Sequence, residues 1–315
     1  MKTVLIPLAL VWGTGAALAA QPLLTPQDLS PLLSNPQVRV IDIRDAQSHG
    51  VNHIPGAVNA PYGQWRGPAS NPGELLAQDR FVALVQRLGL DAGTHAVVVS
   101  SGKDATDFGA TARVYWTLKS LGLTELSIVN GGMQAWQAAG LPLSNAPVQV
   151  APSSYAPTFD ARWLATREQV LGHVQSGDAL LLDARPQAFF LGETKVPAAK
   201  VAGTLPGAKA FDFNQWFEPG SSQLVQGEAA RKVASQAPLP QDGAQDTVAF
   251  CNTGHWAATE WFALSEVAGA PNVKLYAGSM ADWTQASEAL PVANAPSRAQ
   301  QLARSAQDWI KAAFK

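Results

Sequence analysis

Three short motifs occur twice in this chain, in the same order. Residues 40–44, VIDIR, recur as residues 181–185, LLDAR. The other two pairs are HIPGA with TLPGA, at 53–57 and 204–208, and NGGMQAW with AGSMADW, at 130–136 and 277–283. The copies lie about 141 to 151 residues apart, whereas solenoid repeats are about 20 to 50 residues long. The repeat therefore indicates a duplicated domain.

Within each copy, short β-rich runs alternate with helical patterns. Six strands are predicted, at 38–43, 96–100, 126–129, 179–183, 247–250 and 273–276. Helical patterns at 109–121 and 256–267 follow the middle strand of each copy. Such alternation is typical of a parallel sheet with helices on both faces. The sequence thus predicts an α/β fold with two tandem domains, each a parallel β-sheet flanked by α-helices.

Domain boundaries follow from the ends of the repeat. We predict a first domain at 21–143 and a second at 161–292. The segment between them, 144–160, contains three prolines and several serines, a composition typical of a linker.

The two ends of the chain fall outside the repeat. Residues 1–20 combine Lys2, a short apolar run and the A-x-A pattern of Ala17 to Ala19, which predicts a cleaved signal peptide and an exported, periplasmic protein. The apolar run is too short to span a bilayer, so no membrane insertion is expected after cleavage. Residues 293–315 are predicted to contain an amphipathic helix, which either packs on a domain or contacts a partner or membrane surface.

The composition argues against some classes of function. Charged residues make up 15% of the 315 residues and the formal net charge is −2, so no field exists to attract nucleic acid. We therefore expect no nucleic-acid partner. The five histidines lack ligand spacing, and neither a metal nor another cofactor is expected.

Cys251 is the one cysteine of the chain, and it stands where a predicted strand meets a helical pattern. Backbone N–H groups at a helix start lack intrahelical acceptors and stabilise anions, including a thiolate, which is the nucleophilic form of cysteine. Free cysteines are more often small buried hydrophobes. In an exported protein, however, cysteines are normally paired in disulfides, so an unpaired cysteine indicates a chemical role for its thiol.

Together these motifs resemble the tandem-domain rhodanese family, the thiosulfate and 3-mercaptopyruvate sulfurtransferases, in its exported bacterial type. The resemblance covers about residues 24 to 290 and rests on the two Asp-x-Arg motifs, the two Pro-Gly-Ala turns, the segments ending at Trp136 and Trp283, and the Cys-x-x-Gly loop at 251–254. It implies a catalytic second domain and an inactive first domain, whose corresponding loop, Ser101 to Asp104, has no thiol.

The resemblance also implies a reaction and its partners. A donor such as thiosulfate, mercaptopyruvate or a persulfide gives a sulfane sulfur to Cys251, and cyanide or a thiol removes it. A thioredoxin-like reductant is a further candidate partner.

The loop after Cys251 is expected to bind the donor, chiefly through backbone amides. Its residues are Asn252, Thr253, Gly254, His255 and Trp256. Relatives that use thiosulfate commonly have cations here, so weak use of thiosulfate is expected. His255 is either a cationic contact to the donor or a solvent-facing residue. Trp256 is either a substrate platform or a packing residue at a helix start.

Arg185 matches the family arginine that faces the pocket, where a guanidinium suits a sulfonate or carboxylate. The alternative is a structural ion pair with Asp183, because Arg44 occupies the same place in the first copy. Asp42 and Asp183 are expected to be structural.

The two rival classes are a cysteine phosphatase and a non-catalytic protein. A cysteine phosphatase needs an arginine six residues after its nucleophile, and that position is Ala257, which argues against this class. A non-catalytic persulfide carrier or rhodanese-like binding module stays open.

Overall fold

The computed structural model describes residues 20–240 and 243–297. The predicted signal peptide, apart from its last residue, lies outside the described residues, and so does most of the predicted C-terminal helix. No helix within the described ranges is both long and apolar enough to cross a membrane.

The first domain contains a five-stranded parallel sheet in the order β1-β5-β4-β2-β3. Its strands are β1 (Leu23–Leu24), β2 (Val38–Asp42), β3 (Val58–Asn59), β4 (His95–Val99) and β5 (Leu126–Val129). Its helices are α1 (Pro26–Leu29), α2 (Ala46–Val51), α3 (Gln78–Arg87), α4 (Ala105–Ser120) and α5 (Gly132–Ala138). Short 3-10 helices occur at Ser30–Ser34 and Tyr62–Trp65.

The second domain repeats this plan with four parallel strands in the order β7-β6-β8-β9. Its strands are β6 (Leu180–Asp183), β7 (Lys209–Ala210), β8 (Thr247–Phe250) and β9 (Val273–Leu275). Its helices are α6 (Arg167–Ser176), α7 (Gln187–Phe190), α8 (Gly227–Ala234), α9 (Trp256–Phe262) and α10 (Ser279–Thr284). Short 3-10 helices occur at Ala161–Trp163 and Phe213–Trp216, and an isolated parallel bridge joins Leu164 to Leu275.

The predicted fold class is confirmed, and the predicted helices differ in detail. Helix α4 begins at Ala105, four residues before the predicted start, because the side chain of Asp104 caps it by accepting a hydrogen bond from the N–H of Asp107. The predicted helix 256–267 is α-helical only through Phe262 and continues as a π-helical segment, Ala263–Val267. Strands β5 and β8 match their predicted bounds, β2, β6 and β9 are each one residue shorter than predicted, and β4 begins and ends one residue earlier than predicted.

The two domains meet along α4 and α9, the helices that follow the central strands β4 and β8. Phe108 and Tyr115 of α4 each pack edge-on against Phe262 of α9, with ring centroids 5.7 Å and 4.9 Å apart. Gly109 of α4 permits a close approach, because a Cβ there would press against the ring and carbonyl of His255. This packing places the start of α9, and the loop before it, against the first domain.

Candidate active site

Cys251 directly follows β8 and begins the loop 251–255 that leads into α9. Its side chain lies in the core, with 1% of the residue exposed. The carbonyl of Cys251 accepts a hydrogen bond from the N–H of Met280, and that of Asn252 accepts one from Ala281. Helix α10 therefore holds the first two residues of the loop.

Ser279, in the first turn of α10, binds the loop through its side chain. The N–H groups of Cys251 and Gly254 both donate to its Oγ, at 3.0 Å and 3.1 Å, and its hydroxyl donates to the carbonyl of Tyr276 at 2.8 Å. Ser279 has φ of +53°, a left-handed conformation uncommon for residues other than glycine. Its counterpart in the first domain is Gly132, with φ of +59°.

The rest of the loop offers unpaired backbone donors. Five of its backbone N–H groups have no hydrogen-bond acceptor within residues 20–240 and 243–297. They belong to Asn252, Thr253, His255, Trp256 and Ala257. Gly254 makes the turn with φ of +68°, and a Cβ there would overlap the carbonyl oxygen of Ala277. Unpaired amides at a helix start stabilise an anion.

The strand register identifies the first-domain counterpart of Cys251. Strand β2 pairs with β4 as β6 pairs with β8, so Val99 corresponds to Phe250. The next residue, Ser100, therefore corresponds to Cys251. The loop 101–104, which the sequence offered as the silent counterpart, begins one residue later.

The equivalent loop of the first domain already contains a negative charge. The N–H of Gly102 donates to the carboxylate of Asp107 at 2.6 Å. Asp107 is the third residue of α4, and the third residue of α9 is Ala258. In the first domain, a loop amide therefore donates to a carboxylate of the same domain. In the second domain, Ala258 has no carboxylate that could bind the amides of the Cys251 loop.

Arg185 is buried and largely occupied. Its Nε and Nη2 donate to the two carboxylate oxygens of Asp183 at 2.8 Å and 2.6 Å, and Nη2 also donates to the carbonyl of Gly203 at 2.8 Å. Its Nη1 donates to the side-chain oxygen of Asn252 at 3.3 Å. The guanidinium thus forms the alternative ion pair and also contacts the loop.

The two aspartates of the repeated motif make matching contacts. Asp183 accepts a further hydrogen bond from the hydroxyl of Thr204 at 2.7 Å. Asp42 pairs with Arg44 at 2.6 Å, and Arg44 also donates to the carbonyl of Asn52 at 2.6 Å. Each aspartate connects the end of a central strand to the chain that follows it.

His255 has neither of the roles considered from the sequence. Its Nε2–H donates to the carbonyl of Thr106 at 2.5 Å, which leaves Nδ1 to accept from the hydroxyl of Tyr62 at 3.1 Å. Desolvation by burial lowers the pKa of His255 to about 4, and the positive charge of Arg66 acts in the same direction. The ring is therefore uncharged at neutral pH, and it binds the first domain with both nitrogens.

Trp256 belongs to an aromatic cluster at the start of α9. Its ring stacks on Phe213 at a centroid distance of 4.9 Å and meets Phe189 edge-on at 5.7 Å. Its indole N–H donates to the hydroxyl of Thr106 at 3.3 Å. These contacts correspond to the packing role.

Two arginines of the first domain reach the loop, and the sequence did not indicate them. Arg66 Nη2 donates to the carbonyl of Thr253 at 3.0 Å, and Arg113 Nη1 donates to that of Gly254 at 3.3 Å. Neither arginine lies in one of the repeated motifs. Contacts across 187 and 141 residues leave no local pattern by which they could have been found.

A buried thiol at the end of a central parallel strand, followed by unpaired amides and a helix start, defines a two-domain α/β protein suited to cysteine chemistry. The family model for the rhodanese-like domain matches residues 25–139 and 166–286. The chain belongs to the tandem rhodanese-domain sulfurtransferase family.

Individual relatives cover most of the chain. A probable 3-mercaptopyruvate sulfurtransferase of Pseudomonas aeruginosa is 32% identical and matches 83% of this chain and 94% of its own length. A thiosulfate sulfurtransferase of the same organism is 30% identical and matches 82% of this chain and 92% of its own. The crystal structure of SseA from Escherichia coli has a similar fold, with a TM-score of 0.71 and 24% identity over 82% of this chain and 99% of that one.

Proposed function

We propose that the chain transfers a sulfane sulfur from a donor to a thiophilic acceptor through a persulfide on Cys251. The observation that carries this proposal is the contrast between the two loops. The first-domain loop binds the carboxylate of Asp107, whereas unpaired amides follow Cys251. Such amides suit a thiolate and a persulfide, which are both anions.

The reaction has two balanced halves. In the first, the Cys251 thiolate attacks the outer sulfur of the donor, a new S–S bond forms, and the old bond to that sulfur breaks. The electron pair leaves with the rest of the donor, as sulfite when the donor is thiosulfate. In the second, cyanide or a thiol attacks the outer sulfur of the persulfide, and Cys251 recovers its thiolate.

The proposal gives the neighbouring residues different roles. Backbone amides of residues 252–257 stabilise the sulfur anion. Arg185 positions the loop through Asn252 while Asp183 holds it in place. The donor is thiosulfate, mercaptopyruvate or an organic persulfide, each small, and a thioredoxin-like protein is a candidate reductant.

The two domains divide the work. The second domain, 161–292, is catalytic and the first, 21–143, is silent, because the position equivalent to Cys251 holds Ser100. A hydroxyl forms no stable persulfide. The segment 144–160 links them.

We also propose export to the periplasm, on the strength of the signal-like residues 1–20. Expression of the full chain in a Gram-negative host, followed by osmotic release and N-terminal sequencing, tests this. A mature chain beginning at Ala20 or Gln21 in the periplasmic fraction supports export, and an uncleaved chain in the cytosolic fraction contradicts it.

Intact-mass measurement under non-reducing conditions tests sulfur transfer. Wild type incubated with each donor should gain about one sulfur mass, Cys251→Ala should gain none, and cyanide should remove the gain as thiocyanate. A single gain that cyanide removes, without multiple turnover of donor to thiocyanate, would favour the persulfide carrier. No gain with any donor would refute the enzyme.

A further inference from the structure

Arg113, on the domain-facing helix α4, is a buried cation with 1% of the residue exposed. Its Nη1 donates to the carbonyls of Gly254 and Ala277 at 3.3 Å and 3.4 Å, and its Nη2 donates to that of Gly73 at 3.1 Å. The guanidinium also lies 5.1 Å from the ring centroid of Trp116. It joins the Cys251 loop to the first domain.

Arg66 makes a second contact of the same kind. Its Nη2 donates to the carbonyl of Thr253 at 3.0 Å and its Nε to that of Pro72 at 3.1 Å. Its guanidinium lies 5.0 Å from the ring centroid of Tyr62. Consecutive carbonyls of the loop are thus each held by an arginine of the first domain.

Neither arginine is neutralised. In the part of the chain that the structure describes, neither Arg66 nor Arg113 forms an ion pair, in contrast to Arg44 and Arg185. Burial lowers the pKa of Arg113 to about 10, so the group stays charged at neutral pH, and the charge of a Cys251 thiolate acts in the opposite direction. An unpaired buried cation is costly, which favours a use for its charge.

The other titratable groups around the loop do not supply this charge. Arg185 is balanced by Asp183, and His255 is uncharged at neutral pH. Burial raises the pKa of Tyr62, so this phenol is also neutral. The carboxylate of Asp107 binds an amide of the first-domain loop and is a negative charge that acts on His255. Within the described residues, the positive charges beside the loop that form no ion pair are those of Arg66 and Arg113.

The hydrogen bonds also set the direction of the loop amides. In a trans peptide the C=O and the following N–H point in opposite directions. Arg66 draws the Thr253 carbonyl towards the first domain, so the N–H of Gly254 points away from it and reaches Ser279. Arg113 draws the Gly254 carbonyl in the same way, which directs the unpaired N–H of His255 away from the first domain.

We propose that Arg66 and Arg113 are positioning residues of the Cys251 site, which orient the loop amides and supply the positive charge that favours the Cys251 anion and anionic sulfur donors. The effect on anionic sulfur donors rests on the proposed function, whereas the effect on the Cys251 thiolate does not. The first domain, which has no thiol of its own, is then a working part of the active site. This would supply the cation that the loop sequence lacks.

Thiolate absorbance at 240 nm, measured at several fixed pH values, tests the electrostatic part without sulfur transfer, with Cys251→Ala subtracted in each background. We expect Arg113→Met and Arg66→Met to lose thiolate absorbance relative to wild type at the same pH, because each removes a positive charge beside the Cys251 anion. Arg113→Lys should restore most of the absorbance. Arg80→Met removes an exposed arginine of the same domain and should leave the absorbance unchanged.

Steady-state kinetics tests donor choice. At a pH where wild type and variants all show full thiolate absorbance, the two methionine variants should lose about 10- to 100-fold in kcat/KM for the thiosulfate dianion. The loss should be about three- to tenfold for an alkyl persulfide, whose anion carries one charge. Circular dichroism checks that each variant folds, and Arg66→Met carries the test if Arg113→Met does not. Folded methionine variants with unchanged thiolate absorbance would overturn the proposal. So would equal losses for both donors, which a merely structural bridge predicts. Absence of sulfur transfer in wild type would refute the proposed function while leaving the absorbance result valid.

Discussion

The backbone N–H of Cys251 donates a hydrogen bond to the Ser279 hydroxyl, 3.0 Å away and 28 residues later in the chain. The same oxygen accepts from the N–H of Gly254, so one side chain holds both ends of the Cys-x-x-Gly turn. Ser279 keeps this position although its φ of +53° disfavours a side chain. Glycine serves at the corresponding place in the first domain, where no thiol follows the strand.

Two substitutions at Ser279 separate hydrogen bonding from backbone strain. Ser279→Ala loses all three hydrogen bonds of the hydroxyl and keeps the strain, and we expect it to lower the free energy of unfolding by about 2 to 4 kcal/mol. Ser279→Gly loses the same bonds but accepts the positive φ, so it should be about 1 kcal/mol more stable than the alanine variant. Urea unfolding measures both values. Persulfide formation should fall more than about tenfold in both, and an unimpaired alanine variant would show that the loop does not need Ser279.

A carboxylate introduced at Ala258 should inactivate the second domain. It would bind amides of the Cys251 loop, as Asp107 binds a loop amide in the first domain. Ala258→Asp would bring a negative charge beside the loop amides, where it competes with the Cys251 anion. We expect at least about a 100-fold loss in the rate of persulfide formation, followed by intact mass. Ala258→Asn is the matched neutral control and should lose much less. Equal losses in the two variants would indicate that size rather than charge matters at this position.

The first-domain serines should be dispensable for the chemistry. Ser100→Ala changes the true counterpart of Cys251, and Ser101→Ala changes the neighbour that the sequence offered. Because neither removes a reacting group, we expect kcat/KM to stay within a factor of about two. A 100-fold loss in either variant would mean that the active copy has been misassigned.

Glu260 should make stability depend on pH. It is buried on α9, where it accepts a hydrogen bond from the Trp216 indole at 2.9 Å, and desolvation raises its pKa from 4.5 to about 8. Between these values the folded state holds a proton that the unfolded state releases, so stability falls as pH rises.

We therefore expect the free energy of unfolding of wild type to fall between about pH 5 and 8, by at most about 1.4 kcal/mol per pH unit relative to Glu260→Gln. The glutamine keeps an acceptor for Trp216 and carries no charge. Chemical denaturation of both proteins at several pH values measures the difference. Parallel pH profiles would show that Glu260 does not titrate in this window.

Much of the architecture could be predicted because its signals are local. The alternation of β-rich and helical runs predicted parallel sheets, and the end of β8 at Phe250 placed Cys251 at a strand end. The start of α4 was missed because the cap of Asp104 lies outside the periodic apolar residues used to find the helix. The exact counterpart of Cys251 required the strand register, because similar motifs at unequal spacing do not fix a residue-by-residue alignment.

The sequence by itself determined the duplication, the α/β class and the position of the single cysteine, because repeated motifs and apolar periodicity are properties of neighbouring residues. Only the tertiary structure decided what surrounds that cysteine. It brought Arg66, Arg113 and Tyr62 of one domain to the loop of the other, and it gave His255 partners that keep it uncharged. These contacts join residues more than a hundred positions apart, and the packing of α4 on α9 selects them.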